Sequence, residues 1–266
     1  MTPACTGAWI ALQVPRLSDR RGDAEDRIDV DTEVEGLEQR EWSVVDAPLD
    51  DPDAVALDAK TQALLEITRK KQSILLVGES HTPAEERLLA ALMGRTRDRV
   101  ASPTFVTLTE SPAKRVLHCE DYTCGLVSDI EVLAVDTPAW RASTVEDAPD
   151  SIEIAGESVP VTVEAVGDIG ELRRLGIRLN QLLIEAAAID QFVPISIPLS
   201  DMLEMGASSA RVFRFLAILR RRIIEYGGLL VVTVAPGDYN NEPPERFEEL
   251  FDVSFRFDAE GRLEQL

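Results

Sequence analysis

Lysine is almost missing from this chain. Lys60, Lys70, Lys71 and Lys114 are the only four, so the basic residues are nearly all arginine. Histidine is scarcer still, and His81 and His118 leave little material for a Ser-His-Asp or Cys-His nucleophile; no GxSxG elbow occurs either. Cys5, Cys119 and Cys124 make an odd count without repeated spacing, which argues against a disulfide framework and for a reducing compartment. No apolar run approaches the roughly 18 residues that span a bilayer. The first residues carry no basic side chain ahead of a short apolar run, and Pro15 follows, which makes a poor signal peptide. The expectation is a soluble, cytoplasmic protein with no membrane association. Positive charge as a whole is outweighed, with 48 acidic against 27 basic side chains and a formal charge of -21 in 266 residues. Such a surface argues against non-specific binding to nucleic acid or anionic lipid, which both need basic faces.

What is present fits a halophile. An acidic, lysine-poor surface with a pI near 4.5 stays hydrated in a salt-rich cytoplasm, where its self-repulsion is screened within about 3 Å near 1 M salt. Hydrophobic residues make up 45% of the chain, enough for one large domain plus an extension. Residues 1–53 read as an acidic, largely disordered N-terminal extension, since charge dominates from Leu17 to Asp53; a short strand around Trp42 to Val45 is compatible with it. Residues 54–266 read as the folded domain. A capped helix carrying Leu57, Leu64, Leu65 and Ile67 opens it. Strands and helices then alternate: Ile74 to Val77, a helix over Pro83 to Met93, Thr104 to Leu108, a helix over Pro112 to Leu117, and Val132 to Val135. The polar stretch from Thr137 to Glu157 reads as an irregular excursion. Then come Val159 to Ala165, a helix from Ile169 to Ala188, Phe192 to Ile197, a helix from Ser208 to Tyr226 stopped by Gly227 and Gly228, and the buried run Leu229 to Ala235. The tail turns near Glu260 and Gly261 and reads as an edge hairpin. Alternation of this kind predicts a mostly parallel sheet covered on both faces.

The stretch ILLVGESHTPAEERLLAAL, from Ile74 to Leu92, has the strand, loop and helix layout of a phosphate-binding loop. A working loop reads GxxxxGK[ST], with glycines that let backbone N–H groups close on phosphate, a lysine for the outer phosphates and a hydroxyl for magnesium. Here only Gly78 survives. Glu79, Ser80, His81 and Thr82 fill the loop, and Pro83, Ala84 and Glu85 stand at the second glycine, lysine and hydroxyl positions. Proline removes a donor, alanine a charge, and glutamate places a negative charge where phosphate would sit.

With TFVTLTESPAKRVL, VGDIGELRRLGIRLNQLL, SSARVFRFLAILRRRIIEYGGLLVVTVAPGDYN and ERFEELFDVSFRF, the loop region resembles the RecA/KaiC-like P-loop ATPase superfamily, nearest an uncharacterised haloarchaeal group. The resemblance covers about Ala54 to Leu266 and implies a three-layer α/β domain. It also implies an acidic Walker B residue, commonly followed by serine, at the end of the strand before VFRFL. Ile197 and Pro198 stand there instead, and Asp201, four residues on, reads as a helix cap. Both departures point to a pseudo-ATPase with neither ATP nor another cofactor, and to a regulatory or scaffolding role with a protein partner or a homo-oligomer. The alternative is a divergent ATP-binding protein or ATPase with a remodelled loop.

Other candidates compete with plainer readings. His81 is an acid-base or ligand candidate, against a solvated loop histidine. His118, Cys119 and Cys124 are short of the four ligands a structural zinc takes. Pairs such as Glu85 and Glu86, or Glu248 and Glu249, read as solvated surface. Arg173, Arg174 and Arg178 on one helix, and Arg211, Arg214, Arg220, Arg221 and Arg222 on another, suit an acidic partner or an intersubunit contact, with Arg220 to Arg222 as the interface candidates. The competing reading is an ordinary amphipathic face, with Val212, Phe213, Phe215, Leu216, Ile218 and Leu219 on the buried side.

Overall fold

The computed structural model describes residues 42–43, 64, 67–94, 99–119, 127–136, 148–154, 156–168, 170, 172–236, 245–259 and 262–266. Strand β2 (Ser73–Val77) is followed by α1 (Pro83–Met93), β3 (Thr104–Thr107), α2 (Pro112–His118) and β4 (Ile130–Asp136). Then come β5 (Ser151–Ile154), β6 (Glu157–Asp168), α3 (Leu172–Ala188), β7 (Pro194–Pro198), α4 (Leu199–Glu204) and α5 (Ser209–Tyr226). Strand β8 (Leu229–Val234), α6 (Glu245–Glu248), β9 (Val253–Phe257) and β10 (Arg262–Gln265) complete the chain, and β1 (Trp42–Ser43) pairs back onto β10.

The strands lie in the order β1-β10-β9-β2-β8-β7-β3-β4-β6-β5. From β9 to β6 every pairing is parallel, while β1, β10 and β5 are added antiparallel. The interior strands are apolar on both faces because helices cover both. In β8 all six residues are buried. Leu229 and Val231 face the cluster under α1 and α2, with Ile74, Leu76, Leu88 and Phe105. Leu230, Val232 and Val234 face the opposite cluster under α3, α4 and α5, with Leu175, Leu179, Val212 and Phe215. The result is a three-layer α/β fold with a mostly parallel central sheet, as the alternating elements predict.

Local signals explain most boundaries. Thr82 caps α1 by accepting from the Glu85 N–H, and Pro83 takes the first helical position, where a missing N–H costs nothing. Helix α5 ends at Gly227, which adopts φ 74°; the left-handed turn favours glycine. Gly228 follows because a Cβ there would meet the Val193 carbonyl at 2.8 Å.

Three readings need correction. The excursion from Thr137 to Glu157 contains β5, an edge strand with alternating burial that pairs antiparallel with β6. The terminal hairpin is only half an edge, since β9 is an interior parallel partner of β2 and β10 is covered by β1. Ile218, expected on the buried side of α5, is 60% exposed, while Ile223 takes its place in the core. The opening helix is described only at Leu64 and from Ile67 onward; Leu57 and Leu65, the turn at Glu260 and Gly261, and residues 1–53 apart from Trp42 and Ser43 lie outside the described residues.

Candidate functional site

Parallel α/β sheets place ligands at the carboxyl ends of their strands, where successive connections leave toward opposite faces. Here β2 feeds α1 on one face and β7 feeds α4 on the other, with β8 between them. The loops after β2, β3, β7 and β8 meet at that edge.

The loop after β2 is held by its own side chains. Gly78 donates its N–H to the Val234 carbonyl at 3.0 Å. A Cβ at Gly78 would lie 2.3 Å from Cζ of Phe257, so a glycine is required here by packing against β9. His81 stands at φ 59°, in the left-handed region, and its N–H donates to Oε2 of Glu85 at 2.6 Å. The Thr82 hydroxyl donates to the Glu79 carbonyl at 3.1 Å. Ser80 takes its place in the turn between them.

Glu85 is the centre of this arrangement. Expected as solvated surface, it is only 4% exposed. Besides the His81 N–H it accepts from the side chain of Thr233 on β8. Burial raises its carboxyl above the usual glutamate range, and the His81 N–H, Thr233 and the charges of Arg115 and His81 offset part of that rise. In a working loop, backbone N–H groups face phosphate oxygens; here a carboxylate of the chain itself takes one of them. Ala84, at the lysine position, is 2% exposed and belongs to the core under α1. Pro83 supplies no donor.

The facing wall comes from β3, β7 and α4. Ile197 is fully buried in the core under α5, and Pro198, half-buried, ends the strand. Asp201 is not a helix cap. The cap position of α4 is Pro198, without a side-chain bond. Asp201, 4% exposed, accepts from the hydroxyl of Thr109 and from its N–H at 3.3 Å. Its other oxygen lies 3.9 Å from Nε2 of His81, so His81, itself exposed, stands beside a buried acid rather than free in the loop. Ser200 Oγ accepts from the Ala235 N–H at 2.7 Å and ties the β7 and β8 loops together. Glu110, after β3, is paired with Arg115 of α2 at 2.6 Å.

Glu79, Ser80, His81, Thr82, Glu85, Thr109, Glu110, Arg115, Asp201 and Thr233 thus converge on one edge. The Thr109 hydroxyl donates to one Asp201 oxygen, and the His81 imidazole stands 3.9 Å from the other, beyond hydrogen-bond reach. No local sequence pattern marks Thr109, Glu110, Arg115 or Thr233, which reach this edge from the loop after β3 and from α2 and β8. The T-x-x-E pattern before an apolar helix signals the Thr82 cap of the Glu85 N–H, but Glu85 itself reaches the His81 N–H, one residue before the cap, instead of the N-cap N–H that the pattern implies.

The remaining candidates fall elsewhere. Arg220 is bound within the chain, donating to Oδ1 of Asp252 at 2.7 Å and to Ser73 Oγ at 3.1 Å. Arg222 pairs with Glu225 at 2.6 Å on the surface, and Arg221 is exposed. Buried Cys119 donates to the Arg115 carbonyl at 3.3 Å. Cys5 and Cys124 lie outside the described residues, as does the side chain of His118. Among the described residues no group of three or more metal-ligating side chains forms, and no helix is long and apolar enough to cross a membrane.

Fold and site together define a three-layer α/β protein whose polar cluster sits at the carboxyl ends of its parallel strands. The chain belongs to DUF7504, a family of unknown function, whose model matches residues 72–256. No curated protein matches the sequence. Among solved structures it is similar to a KaiC-like protein, PH0186, from the hyperthermophilic archaeon Pyrococcus horikoshii OT3. That similarity is 13% identity over 70% of this chain and 71% of that one, with a TM-score of 0.41. It is also similar to the ATP synthase subunit NeqB from Nanoarchaeum equitans, at 8% identity and a TM-score of 0.41, covering 70% of this chain and 45% of that one. Each likeness is one of fold alone.

Proposed function

We propose that this chain is a catalytically inactive protein of RecA/KaiC-like type, serving as a regulatory or scaffolding module in a halophilic archaeon. The observation that carries the reading is Glu85, whose buried carboxylate accepts the loop N–H of His81 at 2.6 Å. A phosphate entering the loop would displace that bond and meet the carboxylate at close range. Two like unit charges about 4 Å apart repel by about 4 kcal/mol at an effective dielectric of 20, close to a thousandfold in affinity. Ala84 and Pro83 supply neither the charge nor the donor to offset it.

Asp201 favours a second reading. A buried acid at this edge, 3.9 Å from His81, stands near the place a magnesium-holding acid would take, and a divergent ATP-binding protein or ATPase would use it through a remodelled loop. Calorimetric titration with magnesium and ATP, in molar potassium chloride to keep the fold intact, separates the two. The expected result is no heat up to millimolar ATP. Saturable binding, or phosphate release with time, would overturn the inactive reading and make Glu79, Ser80, His81, Thr82 and Asp201 the residues to substitute.

A further inference from the structure

We propose that the groove between α3 and α5 docks an acidic amphipathic helix of a partner protein, an inference that rests on the reading of this chain as a protein-interaction module. The groove has a volume of about 650 Å³ and lies on the outer side of the helix layer. Acids outnumber bases 48 to 27 in the chain, yet none of the described residues lining this groove is acidic, and Arg173, Arg211, Arg214 and Arg222 all line it. Arg211 donates to the Gly170 carbonyl at 2.7 Å and Arg222 pairs with Glu225, which leaves further N–H donors on each guanidinium. Among the described residues no carboxylate pairs with Arg173 or Arg214.

Between the arginines the surface is apolar. Ile177 is 49% and Ile218 60% exposed, and the ring of Phe215 lies at the base. On α5 the positions 211, 214, 218 and 222 share one face at helical spacing, and 173, 177 and 181 do so on α3. The groove therefore runs along about three helical turns, roughly 16 Å at 1.5 Å per residue. A partner helix with an apolar stripe flanked by glutamates satisfies both the isoleucines and the arginines. A second copy docked face to face would set arginines against arginines, which the charge pattern disfavours. Nucleic acid and anionic lipid meet the repulsion of the remaining surface.

The test uses the full chain and a fluorescein-labelled synthetic helix with a leucine stripe flanked by glutamates. Its lysine-flanked counterpart, a duplex DNA oligonucleotide and phosphatidylglycerol vesicles run alongside. Anisotropy is read at the lowest potassium chloride concentration at which near-ultraviolet circular dichroism shows native packing. The expected result is saturable binding of the glutamate helix alone, weakened at least tenfold by Arg211→Glu with Arg214→Glu and by Ile218→Glu. All three side chains are exposed, and Arg214→Gln serves if the double variant fails to fold. No binding, equal binding of both helices, indifference to the variants, or binding of DNA or vesicles that the variants abolish would overturn the proposal. So would self-association in sedimentation that the arginine variants abolish. ATP calorimetry on the same samples keeps the two ideas apart. Heat with ATP sinks the inactive reading, whereas a silent helix titration without ATP heat sinks only the groove.

Discussion

Gly78→Ala should destabilise the fold, because Gly78 packs directly against the ring of Phe257. Its φ lies outside the left-handed region, so alanine is permitted by the backbone and the effect is purely one of space. The new Cβ would stand 2.3, 2.4 and 2.5 Å from Cζ, Cε1 and Cδ1 of Phe257. Carbon atoms rest at about 3.5–4.0 Å, so the ring must retreat by more than about 1 Å. Phe257 is 4% exposed and sits among packed neighbours. Overpacking of this kind costs about 1–3 kcal/mol, and for a domain of this size each kcal/mol lowers Tm by roughly 2–4 °C. Thermal melts in molar potassium chloride of Gly78→Ala, Phe257→Leu and the double variant test the cause. Phe257→Leu alone leaves a void and also destabilises, but in the Gly78→Ala background it relieves the overlap. The pair should therefore couple favourably by about 0.5–3 kcal/mol. Strictly additive losses, or a Gly78→Ala melt identical to that of the parent, would refute the packing explanation.

Glu85→Gln tests the buried carboxyl. A carboxyl raised above 4.5 by burial contributes stability that is full below pH 4.5 and lost as pH rises through the raised value. The glutamine variant should therefore show less loss of Tm than the parent between pH 5 and pH 8; parallel pH profiles would contradict this. Asp252 has the opposite sign. Burial works to raise it, but the N–H groups of Gln72 and Ser73 and the guanidinium of Arg220 hold it below 3.8. Its stabilisation is present above pH 3.8 and lost as pH falls through the depressed value, so Asp252→Asn should cost about 1–2 kcal/mol at pH 7 and little near pH 2. A constant deficit across that range in denaturant titrations would show that shape, not charge, is at stake. Lowering salt below a few hundred millimolar should loosen the fold, as the screening length grows toward about 10 Å at 0.1 M around a charge of -21. A Tm independent of salt would remove the halophilic reading.

The sequence disclosed what is periodic or locally punctuated. Helix α1 follows from Thr82, Pro83 and the leucines at helical spacing, and β8 from an uncharged run behind two glycines. Long-range contacts left weaker marks. Asp201 after Pro198 reads as a cap because a cap needs only local sequence, whereas its actual partner, Thr109, is 92 residues away. Ile218 lies at the border of the apolar stripe of α5, and periodicity alone cannot say where α3 stops covering it. Strand β5 is four residues long with only two buried side chains, too short to stand out from the polar stretch before it. Glu85 was legible in chemistry but not in burial: its place at the helix start was plain, while Thr233, which lies against it, comes from a strand far along the chain.

Polar groups at a switch point must be satisfied by a ligand or by the chain, and here the chain satisfies several of them. Glu85 takes the His81 N–H, Val234 the Gly78 N–H, Ser200 the Ala235 N–H and Asp201 the Thr109 hydroxyl. The loop after β2 is therefore closed by bonds of the chain itself. A lysine at position 84 would drive an ammonium into a site 2% exposed within an apolar cluster, where an unpaired charge is costly. A serine at position 85 would release the half-buried His81 N–H and the buried Thr233 side chain, and a buried polar group left unpaired costs about 1–3 kcal/mol. Lysine at 84 and serine at 85 thus both work against the packing of this edge.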